Sequence, residues 1–212
     1  MTDLLLLRHG RTDWNHQRRI QGQADSQLDE LGHAQAAAVA PAIAALSPTV
    51  LWSSDSDRAR ATASYVSSAC GLVPTFDARL REYSLGPREG LFHHEFEADD
   101  PVEFAEFLRA NYDAVAGAEK SVDVAARMTE ALSEFAALAG PDGLAVAVSH
   151  GSAIRTAVGA LLDWPPSREH SLHGMDNCGW AVLRRRTPQG SWRLVAYNRT
   201  VAPDLAPDPP VG

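Results

Sequence analysis

The stretch LLLLRHG, residues 4–10, carries the clearest indication of fold in the chain. Four successive leucines that stop abruptly at an arginine and a histidine are typical of a strand buried on both faces of a parallel sheet. Polar residues that follow such a strand lie at the carboxyl edge of the sheet, where open α/β folds bind their ligands. The stretch therefore predicts an α/β fold with candidate site residues Arg8, His9 and Gly10.

A second stretch, LAVAVSHG at residues 144–151, repeats this arrangement and is followed by a helical pattern to about Leu162. The amide groups at the start of that helix would favour an anion. His9 and His150 can converge on one pocket only if their two strands are neighbours in the sheet. Either histidine alone is as compatible with a structural role as with a functional one, whereas the two strand ends together favour a common site.

The remaining patterns predict helices and strands in alternation. Helices are expected near residues 29–46, 56–70, 102–115 and 121–139, and Pro41 should bend or interrupt the first of them. A strand is expected at 49–52. Two more strands are expected near 178–186 and 191–198, paired across a turn at 188–190. Residues 12–27 read as a surface loop, and residues 80–100 read as irregular. This order predicts a three-layer α/β/α fold with a mostly parallel central sheet.

Length and composition indicate one compact unit. We interpret residues 1–200 as a single domain, with a lid or flank near 80–140, and residues 201–212 as a flexible, proline-rich tail. Cys70 and Cys178 read as reduced thiols and not as a disulfide framework. The first residues lack the features of a signal peptide, and no window approaches a membrane span. We therefore expect a cytoplasmic protein.

The charge balance argues against one class of partner. There are 27 acidic and 19 basic residues, which give a net charge of −8. Nucleic-acid binding usually requires a basic surface, so this balance argues against it. A small anionic ligand is not excluded, because a few arginines can set the local field of a pocket.

Arg58 lies in the first turn of the helix predicted over residues 56–70. A cation is unfavourable there, because the amino end of a helix carries partial positive charge. A solvated arginine would cost only a few tenths of a kcal/mol, roughly, so that interpretation stays open. An anion held at the same place would remove the conflict.

Four motifs, in this order, resemble those of the histidine phosphatase superfamily, which is also called phosphoglycerate mutase-like. They are LRHGRT at 7–12, SSDSDRARATA at 53–63, LRE at 80–82 and VSHG at 148–151. The resemblance covers almost the whole chain apart from the tail. The segment 174–180, GMDNCGW, together with WRL at 192–194, further resembles the actinobacterial glucosyl-3-phosphoglycerate phosphatase branch.

The resemblance implies a phosphomonoesterase that works through a phosphohistidine. His9 would attack phosphorus, while Arg8, Arg58 and His150 would hold the non-bridging oxygens. Glu82 would protonate the leaving oxygen and then activate water. The pocket would be lined by Gly10, Thr12, Asn15, Gln21, Gly22 and Gly151. The implied substrate is a small phosphorylated metabolite, no metal or other cofactor is implied, and a homodimer would be unsurprising for the family.

Several alternatives remain open at this point. Glu89 is a rival proton donor, and the segment His93-His94-Glu95 could suggest a metal site, although adjacent histidines point apart and no third ligand follows. His170 and His173 receive no role. A phospho-ligand sensor that has lost turnover is the non-enzymatic alternative, and the presence of both nucleophile and acid argues against it.

A 2,3-bisphosphoglycerate-dependent phosphoglycerate mutase is the alternative enzyme. Mutases that resemble this chain are longer, and they carry Glu-Arg-His-Tyr-Gly at the acid, with a lysine nearby. Here Glu82 is followed by the sequence YSLG, residues 83–86, and Lys120 is the only lysine. These differences favour a phosphatase.

Overall fold

The computed structural model describes residues 1–165, 171–187 and 190–201. Within these ranges six strands form one sheet: β1 Thr2–Arg8, β2 Val50–Ser53, β3 Thr75–Phe76, β4 Leu144–Ser149, β5 Trp180–Arg185 and β6 Arg193–Arg199. Their order across the sheet is β3-β2-β4-β1-β5-β6. The first four are parallel, and β5 and β6 add an antiparallel edge. The predicted mixed, mostly parallel sheet is therefore confirmed.

Helices lie on both faces of the sheet. They are α1 Asp13–Gln17, α2 Glu30–Ala44, α3 Asp57–Cys70, α4 His93–Asp99, α5 Pro101–Leu108, α6 Ser121–Ala139 and α7 Gly151–Leu161. The leucines of β1 alternate between two hydrophobic clusters. Leu5 and Leu7 pack with α2 and α3, whereas Leu4 and Leu6 pack with α6 and α7. Because successive residues of a strand point to opposite faces, the two clusters make the three-layer fold.

Two predicted boundaries were wrong at the amino-terminal side. The segment expected to be a loop, residues 12–27, contains α1, because Thr12 caps it: its hydroxyl accepts from the backbone N–H of Asn15, and the Asn15 side chain accepts from the N–H of Thr12. Helix α2 is not interrupted at Pro41 and continues to Ala44. A proline inside a helix removes one backbone hydrogen bond, and the helix here continues past it.

The middle of the chain is more helical than expected. Residues 93–99, predicted to be irregular, form α4, and the helix expected over 102–115 ends at Leu108. Asp100 separates the two, since its side chain accepts from the N–H groups of Val102 and Glu103 and starts α5. Phe96 and Phe107 share the cluster that contains Leu4. This segment therefore packs against the same core as the sheet and forms a wall above the strand ends.

The other sequence predictions have mixed standing. Strands β5 and β6 pair as expected, whereas the turn residues 188–189, His170 and the tail from 202 lie outside the described residues. No helix in the described ranges has the length and apolar character needed to cross a membrane.

Candidate active site

The two histidine-bearing strand ends are neighbours. Strands β1 and β4 are hydrogen-bonded partners with Arg8 opposite Ser149, so His9 and His150 follow side by side. Their ring centroids are 5.2 Å apart at an interplanar angle of 60°. Parallel neighbours end at the same edge of a sheet, and this brings together the two sites that the sequence could place only separately.

His9 is almost fully buried and has a defined hydrogen-bond arrangement. Its Nδ1 lies 2.7 Å from the carbonyl oxygen of Gly10, which can only accept, so Nδ1 carries the hydrogen and Nε2 carries the lone pair. Burial, followed by the charges of Arg58 and Arg8, holds the pKa of His9 well below its usual value. The ring is therefore a neutral imidazole at neutral pH, with Nε2 available as a nucleophile.

His150 is fully buried and uses its nitrogens the other way round. Its Nε2 lies 2.9 Å from Oγ of Ser54, while Nδ1 is buried without a partner among the described residues. Burial is again the main cause that lowers the pKa well below its usual value, and Arg58 and His9 add to it. A buried ring nitrogen that lacks a partner is costly unless a ligand supplies one.

Arg58 supplies a buried positive charge beside both rings. It lies in the first turn of α3 with 1% of its surface exposed. Its two terminal nitrogens donate to the carbonyl oxygens of Gly22 at 2.7 Å and Ala24 at 2.8 Å, and Nε is buried without a described partner. Burial lowers the pKa of Arg58 to about 10, which leaves it protonated at neutral pH. A buried cation held only by neutral groups is suited to an anionic ligand.

A loop before β5 completes the floor of the site. Arg8 donates from Nη1 to the carbonyl oxygen of Met175. Asn177 donates from Nδ2 to the carbonyl oxygen of His9 at 3.1 Å. The backbone N–H of Cys178 donates to the same oxygen at 3.2 Å. These contacts hold the Arg8 side chain and the His9 carbonyl group.

Glu82 lies at the amino end of α7. Its Oε1 accepts from the N–H groups of Ala153 at 2.8 Å and Tyr83 at 3.0 Å, and its Oε2 accepts from Ser152 at 3.0 Å. The sequence places Glu82 in LRE but does not show that a helix terminus 70 residues away orients it. Three backbone donors hold the carboxyl group in one position, as a proton-transferring group requires.

Most of the predicted site residues meet in one cavity of about 750 Å³. The predicted residues that line this cavity are Arg8, His9, Asn15, Gln21, Gly22, Arg58, Glu82 and Gly151. His150 is not on this wall and lies against the ring of His9.

Gly10 and Thr12 are not part of the cavity wall. Thr12 is fully buried, and its hydroxyl donates to the Gln21 side chain at 3.0 Å. A Cβ at Gly10 would lie 2.5 Å from the carbonyl oxygen of Gly32, so only glycine fits that close approach. Both residues therefore lie behind the cavity wall and pack against residues that form it.

The rival candidates have other surroundings. Oε1 of Glu89 accepts from the backbone N–H groups of Leu85 at 2.8 Å and Gln23 at 3.0 Å, which joins two loops. The ring of His93 packs edge-on against Phe104 and Phe107. Among the described residues, no three histidine, cysteine or acidic side chains converge as a metal site would require.

Sequence reasoning missed three polar residues of the site. Ser54 and Asn177 lie inside quoted motifs, but nothing local assigns them to His150 and His9. Arg155 lines the cavity four residues after Gly151, and this helical spacing was the one available signal.

The site as a whole combines a neutral buried imidazole, two arginines and a carboxyl group at one cavity. This set suits transfer of a phosphoryl group, because an imidazole with a lone pair can attack phosphorus, arginines can stabilise charge on its oxygens and a carboxyl group can transfer a proton. Residues 4–200 match the family described as the histidine phosphatase superfamily (branch 1). The chain belongs to this superfamily.

The named relatives include a phosphatase and a probable mutase. A glucosyl-3-phosphoglycerate phosphatase of Mycobacterium tuberculosis (strain CDC 1551 / Oshkosh) is 38% identical over 208 residues, which cover 92% of this chain and 93% of that protein. A probable phosphoglycerate mutase of Salmonella choleraesuis (strain SC-B67) is 35% identical, with 97% of this chain and 94% of that protein covered.

The two solved structures compared are both of phosphatases. A mycobacterial glucosyl-3-phosphoglycerate phosphatase in complex with VO3 has a TM-score of 0.87 and 37% identity, and the match covers 94% of this chain and all of that one (100%). A phosphoserine phosphatase of Entamoeba histolytica has a TM-score of 0.78 and 27% identity, with 93% and 97% covered. These findings confirm a hydrolase of the histidine phosphatase type and favour it over the mutase.

Proposed function

We propose that this protein hydrolyses a small phosphomonoester through a covalent phosphohistidine at His9. The observation that carries the proposal is the hydrogen bond between Nδ1 of His9 and the carbonyl oxygen of Gly10, which leaves the Nε2 lone pair for phosphorus. The low pKa of the ring supports it, because a protonated imidazole has no lone pair to donate.

In the first step the Nε2 lone pair of His9 forms a bond to phosphorus, and the bond from phosphorus to the leaving oxygen breaks. Protonated Glu82 gives its proton to that oxygen and becomes a carboxylate. Arg8, Arg58 and Nδ1 of His150 donate to the non-bridging oxygens, on which charge accumulates. Each charge-assisted hydrogen bond of this kind contributes about 1.5–3 kcal/mol.

In the second step water attacks phosphorus and the P–N bond breaks. The Glu82 carboxylate takes a proton from that water, and the imidazole returns to its neutral form. Inorganic phosphate leaves with the alcohol already released. The three backbone donors hold the Glu82 carboxyl group in one position.

Among substrates, glucosyl-3-phosphoglycerate is the first to test, because relatives with 38% identity carry that name. Asn15, Gln21, Gly22 and Gly151 on the cavity wall support binding of the phosphoryl group, with Gly10 and Thr12 behind them. The free thiols of Cys70 and Cys178 support a cytoplasmic location. A homodimer belongs to the same proposal and is testable by light scattering on the purified protein.

The test measures hydrolysis of p-nitrophenyl phosphate and of glucosyl-3-phosphoglycerate in EDTA, together with trapping of labelled enzyme. We expect turnover in EDTA and an acid-labile, base-stable label that His9→Ala abolishes. His94→Ala is the matched control, because His94 is exposed and outside the cavity wall. Full activity of His9→Ala would overturn the proposal.

Two further measurements separate the alternatives. A mutase would convert 3-phosphoglycerate to 2-phosphoglycerate faster than it releases phosphate. A sensor would bind phosphorylated metabolites in both wild type and His9→Ala and turn over none of them.

A further inference from the structure

The cavity wall carries more positive charge than one phosphoryl group needs. In the described part of the chain five arginines and two carboxylates line it, in a protein whose net charge is −8. The arginines are Arg8, Arg18, Arg19, Arg58 and Arg155, and the carboxylates are Glu82 and Asp176. Arg8 and Arg58 are assigned to the phosphoryl group in the proposed function, so three arginines need another explanation.

Arg19 is held by protein groups. Its Nε donates to the carbonyl oxygen of Gly90 at 2.6 Å, and its guanidinium lies 4.1 Å from the ring centroid of Trp14. Arg18 is exposed at the rim, where water solvates it. Neither position calls for a ligand.

Arg155 differs from both. It is half-buried on the cavity-facing side of α7, and it forms no hydrogen bond or ion pair with any described residue. A guanidinium has five N–H donors, and in a half-buried position they are poorly satisfied without an acceptor. Burial raises the pKa of both Tyr112 and Tyr197, and the positive charge of Arg155 opposes that rise in each.

Arg155 lies one turn after Ser152 on α7, the helix whose amino end holds Glu82. Tyr112 lies 2.9 Å, oxygen to oxygen, from the Ser152 hydroxyl, and the Ser152 N–H donates to Glu82. Since a proton donor must face the leaving oxygen, a group that neighbours Glu82 faces the leaving group and not the transferred phosphoryl group.

We propose that Arg155 binds a second anionic group, carried by the leaving group, and thereby selects doubly anionic substrates. This rests on the proposed function, because it takes the Glu82 side as the leaving-group side. Two substrate classes supply the required charge: phosphorylated hydroxy acids, through their carboxylate, and sugar bisphosphates, through the second phosphate. The planar fork of arginine accepts either anion in a bidentate manner.

Two matched substrate pairs test the proposal. 3-Phosphoglycerate and glycerol 3-phosphate differ by a carboxylate, and fructose 1,6-bisphosphate and fructose 6-phosphate differ by the second phosphate. In at least one pair we expect the wild type to prefer the member with the second anionic group. The pair that shows this preference identifies the anion as a carboxylate or a phosphate. We expect Arg155→Met to lower kcat/KM for that member by about 10- to 100-fold, mainly through KM. For the member that lacks the second anionic group, and for p-nitrophenyl phosphate, kcat/KM should change by less than about threefold.

Controls separate binding from folding. Arg155→Lys keeps the charge without the fork and should lose less than Arg155→Met. Arg193→Met removes an exposed arginine outside the cavity and should change neither pair. The proposal is overturned if Arg155→Met loses kcat/KM equally on both members of a pair, or on neither. It is also overturned if the wild type shows no preference for the members with a second anionic group. The p-nitrophenyl phosphate activity of wild type and His9→Ala reports on the proposed function independently.

Discussion

The two strand ends that meet at the site have nearly the same sequence pattern and use it differently. After β1, the ring of His9 turns Nδ1 to the carbonyl oxygen of the next residue, Gly10, at 2.7 Å. After β4, the ring of His150 turns Nε2 to Ser54, at the end of a third strand, at 2.9 Å. One histidine is thus oriented by its own loop and the other by a neighbouring strand.

This difference decides which nitrogen each ring leaves for a ligand. His9 leaves Nε2, which carries a lone pair, whereas His150 leaves Nδ1, which is buried and without a described partner. When the Ser54 hydroxyl donates to Nε2, Nδ1 of His150 carries the hydrogen and can donate to a phosphoryl oxygen. In the proposed function, the same side chain at two neighbouring strand ends therefore serves once as nucleophile and once as hydrogen-bond donor.

The largest expected effect concerns the nucleophile. We expect His9→Ala to lower kcat on p-nitrophenyl phosphate by about 10⁵-fold or more, because no other group can form the covalent intermediate. Rapid-quench assays with labelled substrate measure both turnover and label. Retention of the label in this variant would assign the nucleophile to another residue. The different roles inferred for the His9 and His150 rings would then be wrong.

The next effect distinguishes the two nitrogens of His150. An asparagine side-chain amide can occupy the place of Nδ1, whereas a glutamine amide reaches the place of Nε2. We expect His150→Gln to lower kcat by about 10²- to 10³-fold and His150→Asn by only about tenfold. Steady-state kinetics on p-nitrophenyl phosphate measures the ranking. The reverse ranking would show that the contact with Ser54 matters more than the nitrogen without a partner.

A smaller effect is expected in the pH dependence of stability. Both rings are held neutral by burial, so their folded-state pKa values lie below the unfolded value of about 6.5. The unfolded state binds more protons below that pH, and each ring therefore reduces the free energy of unfolding by up to about 1.4 kcal/mol per pH unit of acidification. Urea unfolding between about pH 7.5 and 5.5 measures this slope.

His150→Asn is the variant that divides the slope between the rings. It should remove about half of the loss below pH 6.5 and leave the remainder to His9. A wild-type free energy of unfolding that is constant over this range would contradict the neutral state of both rings.

The smallest effect lies in the loop after β1. We expect Thr12→Val to reduce the free energy of unfolding by about 1–2 kcal/mol, because the cap of α1 and the bond to Gln21 are lost. Its kcat should fall by less than about threefold, since the side chain does not face the cavity. Thr12→Ser keeps the hydroxyl and serves as the control. A loss of activity without a loss of stability would return Thr12 to the substrate-binding set.

Much of the fold could be predicted because its signals are local. The leucines before Arg8 and the apolar run before Ser149 identify two buried strands, and the four motifs identify the family. The short helices α1 and α4 were missed, because helices of 5 and 7 residues depend on caps and packing and not on a long apolar period.

The arrangement of the site was less accessible. Glu82 could be selected by its motif, but the backbone donors that hold it belong to Ser152 and Ala153, 70 and 71 residues later. Arg155 carried no motif at all, and only the structure shows that it lines the cavity without an acceptor among the described residues.

Apolar periodicity and the order of the motifs were sufficient for the α/β/α class, the superfamily and His9 as the candidate nucleophile, because these features depend on neighbouring residues. The tertiary structure decided the rest. It set which nitrogen of each histidine lacks a partner among the described residues, which predicted residues lie off the cavity wall, and where Arg155 lies. These properties depend on hydrogen bonds and burial between segments as far apart as Ser54 and His150, 96 residues in the chain.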